Sequence, residues 1–62
     1  MTIAQRRGIA HYAGRDIPAP RANTVAFLAR LDYIRKNRTT GAYALTTLGR
    51  ELSLLAGFFE EI

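Results

Sequence analysis

The chain reads as a small α+β domain of three helices and a two-stranded hairpin. Three observations predict this. Apolar residues recur at helical spacing over residues 24–34 and again over 48–62. Between those stretches, the short segments Tyr33-Ile34-Arg35-Lys36 and Ala42-Tyr43-Ala44-Leu45-Thr46 flank the polar run Asn37-Arg38-Thr39-Thr40-Gly41. A further helix signal opens the chain, where Thr2-Ile3-Ala4-Gln5 has the spacing of a capping box.

The first helix is expected over residues 3–13, with Gly14 as the left-handed residue that ends it. Ile9, Tyr12 and Ala13 share its buried face, while Gln5, Arg6 and Arg7 begin on the wetter side. Gly8 weakens this helix by about 1 kcal/mol relative to Ala. Ile17-Pro18-Ala19-Pro20 then forms an extended connector, because each proline removes an amide donor and restricts the residue before it. Ile17 is its candidate anchor in the core.

The second helix is expected over about 21–32, with Asn23 or Thr24 as its cap. Thr24, Val25, Phe27, Leu28, Leu31 and Ile34 share one half of the wheel, and Ala22, Asn23, Ala26, Arg30 and Tyr33 the other. Asp32 suits the helix end, since Asp tolerates the left-handed region. In the hairpin, Tyr43 and Leu45 alternate onto one face, where Ile34 meets them. The last helix is expected over 47–62 behind Thr46 as cap. Leu48, Leu52, Leu55, Phe59 and Ile62 step 4-3-4-3, the spacing of a helix–helix seam, and Leu54 and Phe58 widen the stripe.

Length and composition narrow the function classes. The 62 residues allow a single domain, 1–62, whose 48% hydrophobic content includes ten alanines. Seven of the twenty larger apolar side chains fall in residues 48–62. With no Cys there is neither a disulfide framework nor a thiolate metal site, and one His makes no metal or haem centre. No cofactor and no metal are expected. No apolar run reaches a membrane span and residues 2–7 do not form a secretory signal, so a cytoplasmic location is expected. Residues 1–50 hold nine basic side chains against Asp16 and Asp32, a balance of +7, and residues 51–62 hold Glu51, Glu60 and Glu61. Eight of the nine cations are Arg, the side chain suited to bidentate contact with phosphate or guanine.

Enzyme signals are thin. Ser53 lies in an apolar stretch without a base, His11 is alone, and the adjacent Glu60 and Glu61 point apart. The five glycines form no phosphate-binding motif. A non-enzymatic role is expected, with His11 as a half-buried packing residue.

The run Thr24-Val25-x-x-Leu28-x-x-Leu31-Asp32-Tyr33-Ile34, followed by a basic hairpin and Tyr43-Ala44-Leu45-Thr46-x-x-Gly49-Arg50-Glu51-Leu52, resembles a winged helix-turn-helix domain. It is similar to bacterial transcriptional regulators of the MarR and HxlR type over about residues 2–55. In this chain Asp32 stands where that pattern has Gly, and the helix preceding the recognition helix is short or missing.

The resemblance implies a small winged helix, three helices with a two-stranded β-wing, that binds double-stranded DNA as a homodimeric regulator. Arg21, Asn23, Ala26 and Arg30 would project from the recognition helix into the major groove. Arg35, Lys36, Arg38, Thr39 and Thr40, on the basic wing over 35–41, would meet phosphates or the minor groove. Leu54, Leu55, Phe58, Phe59 and Ile62 run beyond the expected body and form the candidate dimer or partner interface through the C-terminal helix. The alternative is a winged-helix protein–protein module, of a phage-type or accessory-subunit kind, with little DNA binding.

Overall fold

The computed structural model describes residues 1–60. In chain order the elements are α1 (Ile3–Tyr12), α2 (Ala22–Arg30), β1 (Ile34–Lys36), β2 (Tyr43–Leu45) and α3 (Thr47–Ser53). The architecture is therefore α+β, three helices with one two-stranded antiparallel sheet.

Local chemistry sets most boundaries. At α1, Thr2 Oγ1 accepts from the Gln5 amide at 3.2 Å and Gln5 Oε1 accepts from the Thr2 amide at 2.9 Å, completing the capping box. Its far end carries a Schellman pair: Arg15 donates to the Ala10 carbonyl and Gly14, at φ +91°, to that of His11. The same pair ends α2, where Tyr33 donates to the Leu28 carbonyl and Asp32 to that of Ala29. Asp32 takes the left-handed position at φ +65°. The connector over 13–21 contains no helix. His11 Nδ1 lies 2.7 Å from the Ile17 carbonyl oxygen, which can only accept, so the half-buried ring donates and pins the connector.

In the sheet, Ile34 pairs with Leu45, Arg35 with Ala44 and Lys36 with Tyr43. Ile34 is buried on the inner face and Leu45 and Tyr43 are half-buried beside it, while Arg35 and Ala44 face the other way. Ile9, Leu28, Ile34 and Phe58 form one buried cluster, each supplied by a different segment. Tyr12, Val25, Phe27, Leu45 and Leu52 pack around it.

Three expectations change. Arg21, not Asn23 or Thr24, occupies the N-cap of α2 and makes no side-chain capping bond; Asn23 Oδ1 instead accepts from the Thr24 amide at 2.8 Å. That helix spans Ala22–Arg30 rather than 21–32, because the turn at Asp32 tightens its end. The largest change is at the C-terminus. The helix expected over 47–62 stops at Ser53, whose hydroxyl bonds back to the Arg50 carbonyl at 2.8 Å. The Leu54 amide is shared between the carbonyls of Arg50 and Glu51, and turns follow through Glu60, with Gly57 at φ +75°. A straight helix would carry Phe58 away from the body; the turn returns it to the core, where it is 8% exposed.

The hairpin, α2 and α3 meet at Thr46. Its amide donates to the Tyr33 carbonyl at 3.1 Å, its hydroxyl donates to the Asp32 carbonyl, and its hydroxyl oxygen accepts from the Gly49 amide at 3.1 Å. Gly49 is buried, and a Cβ there would collide with the Tyr33 carbonyl oxygen and press on Leu45. Gly49→Ala is therefore expected to cost about 1–3 kcal/mol of stability through overpacking. Urea unfolding measures it, and an unchanged midpoint would mean that α3 does not rest on Tyr33.

Burial, with the Tyr43 ring 6.4 Å away as a second cause, raises the Tyr12 phenol above its ordinary pKa of 10.0. The fold favours the neutral phenol, so this contribution to stability is intact below pH 10 and is lost as pH rises through the higher folded-state value. Tyr12→Phe should therefore flatten the alkaline limb of a stability–pH profile. An identical limb in the variant would assign that loss to other groups.

Candidate nucleic-acid interface

The solvent face of α2 presents Asn23, Ala26 and Arg30, all exposed, at i, i+3 and i+7. Arg21 is exposed immediately ahead of them. The opposite face is held by Leu28, fully buried, and by half-buried Val25, so packing against α1 and β1 fixes which side of the helix meets solvent. Ala26 leaves a low point between Asn23 and Arg30, where another surface can approach the helix backbone. Asn23 Oδ1 is partly engaged by the Thr24 amide, while the Asn23 amide nitrogen has no bond among the described residues.

The hairpin loop is ordered by its own side chains. Asn37 Oδ1 accepts from the amides of Thr39 at 2.8 Å and Thr40 at 3.3 Å, and Thr40 Oγ1 accepts from the Ala42 amide at 3.2 Å. The Asn37 amide donates to the Ala42 carbonyl at 2.8 Å, and the Gly41 amide to that of Asn37 at 2.7 Å. Thr40 thus has a structural task, although its hydroxyl proton stays available to a ligand. Arg38 and Thr39 stand exposed on this braced loop.

The candidate cations differ in their surroundings. Arg35 Nη2 lies 3.3 Å from Asp32 Oδ1 in an exposed ion pair. Arg30, Lys36 and Arg38 are exposed and have no carboxylate partner among the described residues. Arg6 and Arg15 lie instead over aromatic rings, 5.8 Å from the Phe58 centroid and 4.2 Å from that of Phe59.

These contacts revise the expected apolar interface. Phe58 is a core residue, and half-buried Phe59 meets it edge-on at 4.9 Å beneath Arg15. Neither forms an exposed docking stripe. Leu54 and Leu55 do remain exposed, at 82% and 59%. Ile62 lies outside the described residues.

One feature escaped sequence reasoning. A groove of about 720 Å³ runs between the hairpin and α3, and its lining brings Arg50 and Thr47 together with Arg35 and Lys36. The only signal in the sequence was Arg50 directly after Gly49, on the side opposite Leu52. The alternation of a strand and the turn of a helix do not reveal that the two cationic edges converge.

No family model, curated protein or solved structure matches this chain. Among the described residues no helix is long and apolar enough to cross a membrane, and no three His, Cys, Asp or Glu side chains gather as metal ligands do.

Proposed function

We propose that the chain is a winged-helix domain that binds double-stranded DNA and acts as a small homodimeric regulator of transcription. One observation carries the reading: two ordered elements each present unshielded basic side chains to solvent. Arg21 at the N-cap and Asn23 and Arg30 on the exposed side of α2 face solvent, and Lys36 and Arg38 stand on a hairpin braced by Asn37 and Thr40. A rigid display of this kind lowers the ordering cost of binding. Long-range attraction to phosphate comes from the +7 balance of residues 1–50. In this reading α2 reads base edges and the hairpin engages the backbone.

The exposed leucines favour a second reading, a protein–protein module. Among the described residues of the C-terminal region, the large apolar side chains of Leu48, Leu54 and Leu55 are exposed. The helix-free connector over 13–21 points the same way, since it removes an element that would cross the DNA backbone in a full winged helix-turn-helix.

Duplex binding across a salt series separates the two, because each neutralised phosphate contributes close to one unit of slope. Arg30→Ala is expected to weaken specific binding by about 1–3 kcal/mol, and Asn23→Ala to relax sequence preference. Replacing Arg35, Lys36 and Arg38 with Ala should weaken binding to all sequences alike and flatten the slope by up to about three units. Wild-type behaviour in all of these variants would rule out both surfaces. For self-association, Leu54→Glu with Leu55→Glu should convert a sedimenting dimer to a monomer without loss of helix signal. A wild-type chain that sediments as a monomer at high concentration would remove the homodimer from the proposal.

A further inference from the structure

The groove between the hairpin and α3 has a chemistry of its own. Arg35 and Lys36 of β1 and Arg50 of α3 are among its lining residues. Thr47 adds an exposed hydroxyl, and Leu48 gives the lining an apolar element. Asp32 is the one carboxylate among the lining residues, and it holds Arg35 through a single oxygen. The two walls are tied together by Thr46, which fixes the backbone positions from which the cations extend.

Three exposed cations along an open trough suit a chain of spaced negative charges. A compact anion would need enclosure and convergent buried donors, and none of these three side chains is buried. An extended apolar peptide would need deep pockets for its side chains, which this lining does not supply. Arginine matches phosphate oxygens with its forked donors, and a threonine hydroxyl donates to the same oxygens.

We propose that this groove seats the phosphodiester backbone of nucleic acid, with Arg50 and Thr47 extending the contact begun by Arg35 and Lys36, and with Asp32 as a built-in competitor for Arg35. The assignment rests on the DNA-binding reading above and adds residues to it. A phosphate entering the groove competes with Asp32 for Arg35, and the carboxylate also repels the incoming charge. Asp32 therefore weakens attachment while its backbone, at φ +65°, ends α2. Asn accepts that left-handed conformation as readily as Asp, so Asp32→Asn removes the charge and keeps the turn.

The test uses the full chain with fluorescent duplex DNA, titrated at several salt concentrations, and with poly-glutamate as a second polyanion. Arg50→Ala should weaken DNA binding and reduce the salt slope by about one unit. Asp32→Asn should tighten binding about two- to five-fold at low salt, the size of one exposed ion pair, with the gain fading as salt rises. Circular dichroism checks that each variant remains folded. If the wild type binds DNA and both folded variants match it, the groove assignment is wrong while the DNA-binding reading survives. A wild type with no DNA affinity at any salt would overturn both. Preference for poly-glutamate over DNA of equal charge would overturn the assignment in favour of an acidic protein partner.

Discussion

Thr46 joins three elements within one residue: its amide closes the hairpin onto Tyr33, its hydroxyl proton satisfies the Asp32 carbonyl beyond the end of α2, and its hydroxyl oxygen starts α3 by accepting from Gly49. Each bond is worth only about 0.5–1.5 kcal/mol net. Their importance lies in geometry, because they hold α2, the sheet and α3 at one point. Gly49 completes the arrangement by leaving room for the Tyr33 carbonyl. The core depends on that junction. Leu28 from α2 and Ile34 from β1 reach a common cluster only if the chain turns at Asp32 and Tyr33.

A chain of this size has little apolar surface to spare, and the two phenylalanines of the C-terminal segment go to the core. Phe58 joins Ile9, Leu28 and Ile34, while Phe59 packs edge-on against it. Burying one such side chain fully is worth about 1.5–3 kcal/mol, a large share of a small domain's stability. Ending α3 early gives up several intrahelical bonds and gains this burial in return. Arg6 and Arg15 then lay their guanidinium groups over the rings of Phe58 and Phe59.

Two groups of basic residues consequently stand apart. Arg6 and Arg15 lie over the C-terminal aromatic rings, whereas Arg30, Lys36, Arg38 and Arg50 stand exposed on α2, the hairpin and α3 with no aromatic or carboxylate partner among the described residues. The second population carries the functional reading. Its side chains stand on backbone braced by caps, turns and strand pairing, so their relative positions do not have to be bought anew in each encounter. Asp32 belongs to both structure and charge, since it terminates α2 and partners Arg35.

Features that depend on near neighbours in the chain, or on alternation within one hairpin, were legible from the chain alone. The capping box of Thr2 and Gln5, the left-handed ends at Gly14 and Asp32, the Thr46 cap and the shared face of Ile34, Tyr43 and Leu45 all follow from local hydrogen bonding and alternation. The exposed stripe of Asn23, Ala26 and Arg30 was likewise readable from the helical period. Features set by distant contacts were not. Gly8 read as a local weakness, yet it is where α1 and α2 approach, for a Cβ there would lie 2.9 Å from Leu28 Cδ1. The stripe over 48–62 satisfies a helical period equally well whether the helix continues or breaks, because periodicity records which residues are apolar and not what will cover them. Only the assembled core, with a vacancy between Ile9, Leu28 and Ile34 for Phe58 to fill, decides that α3 ends at Ser53 and that Arg50 shares a groove with Arg35 and Lys36.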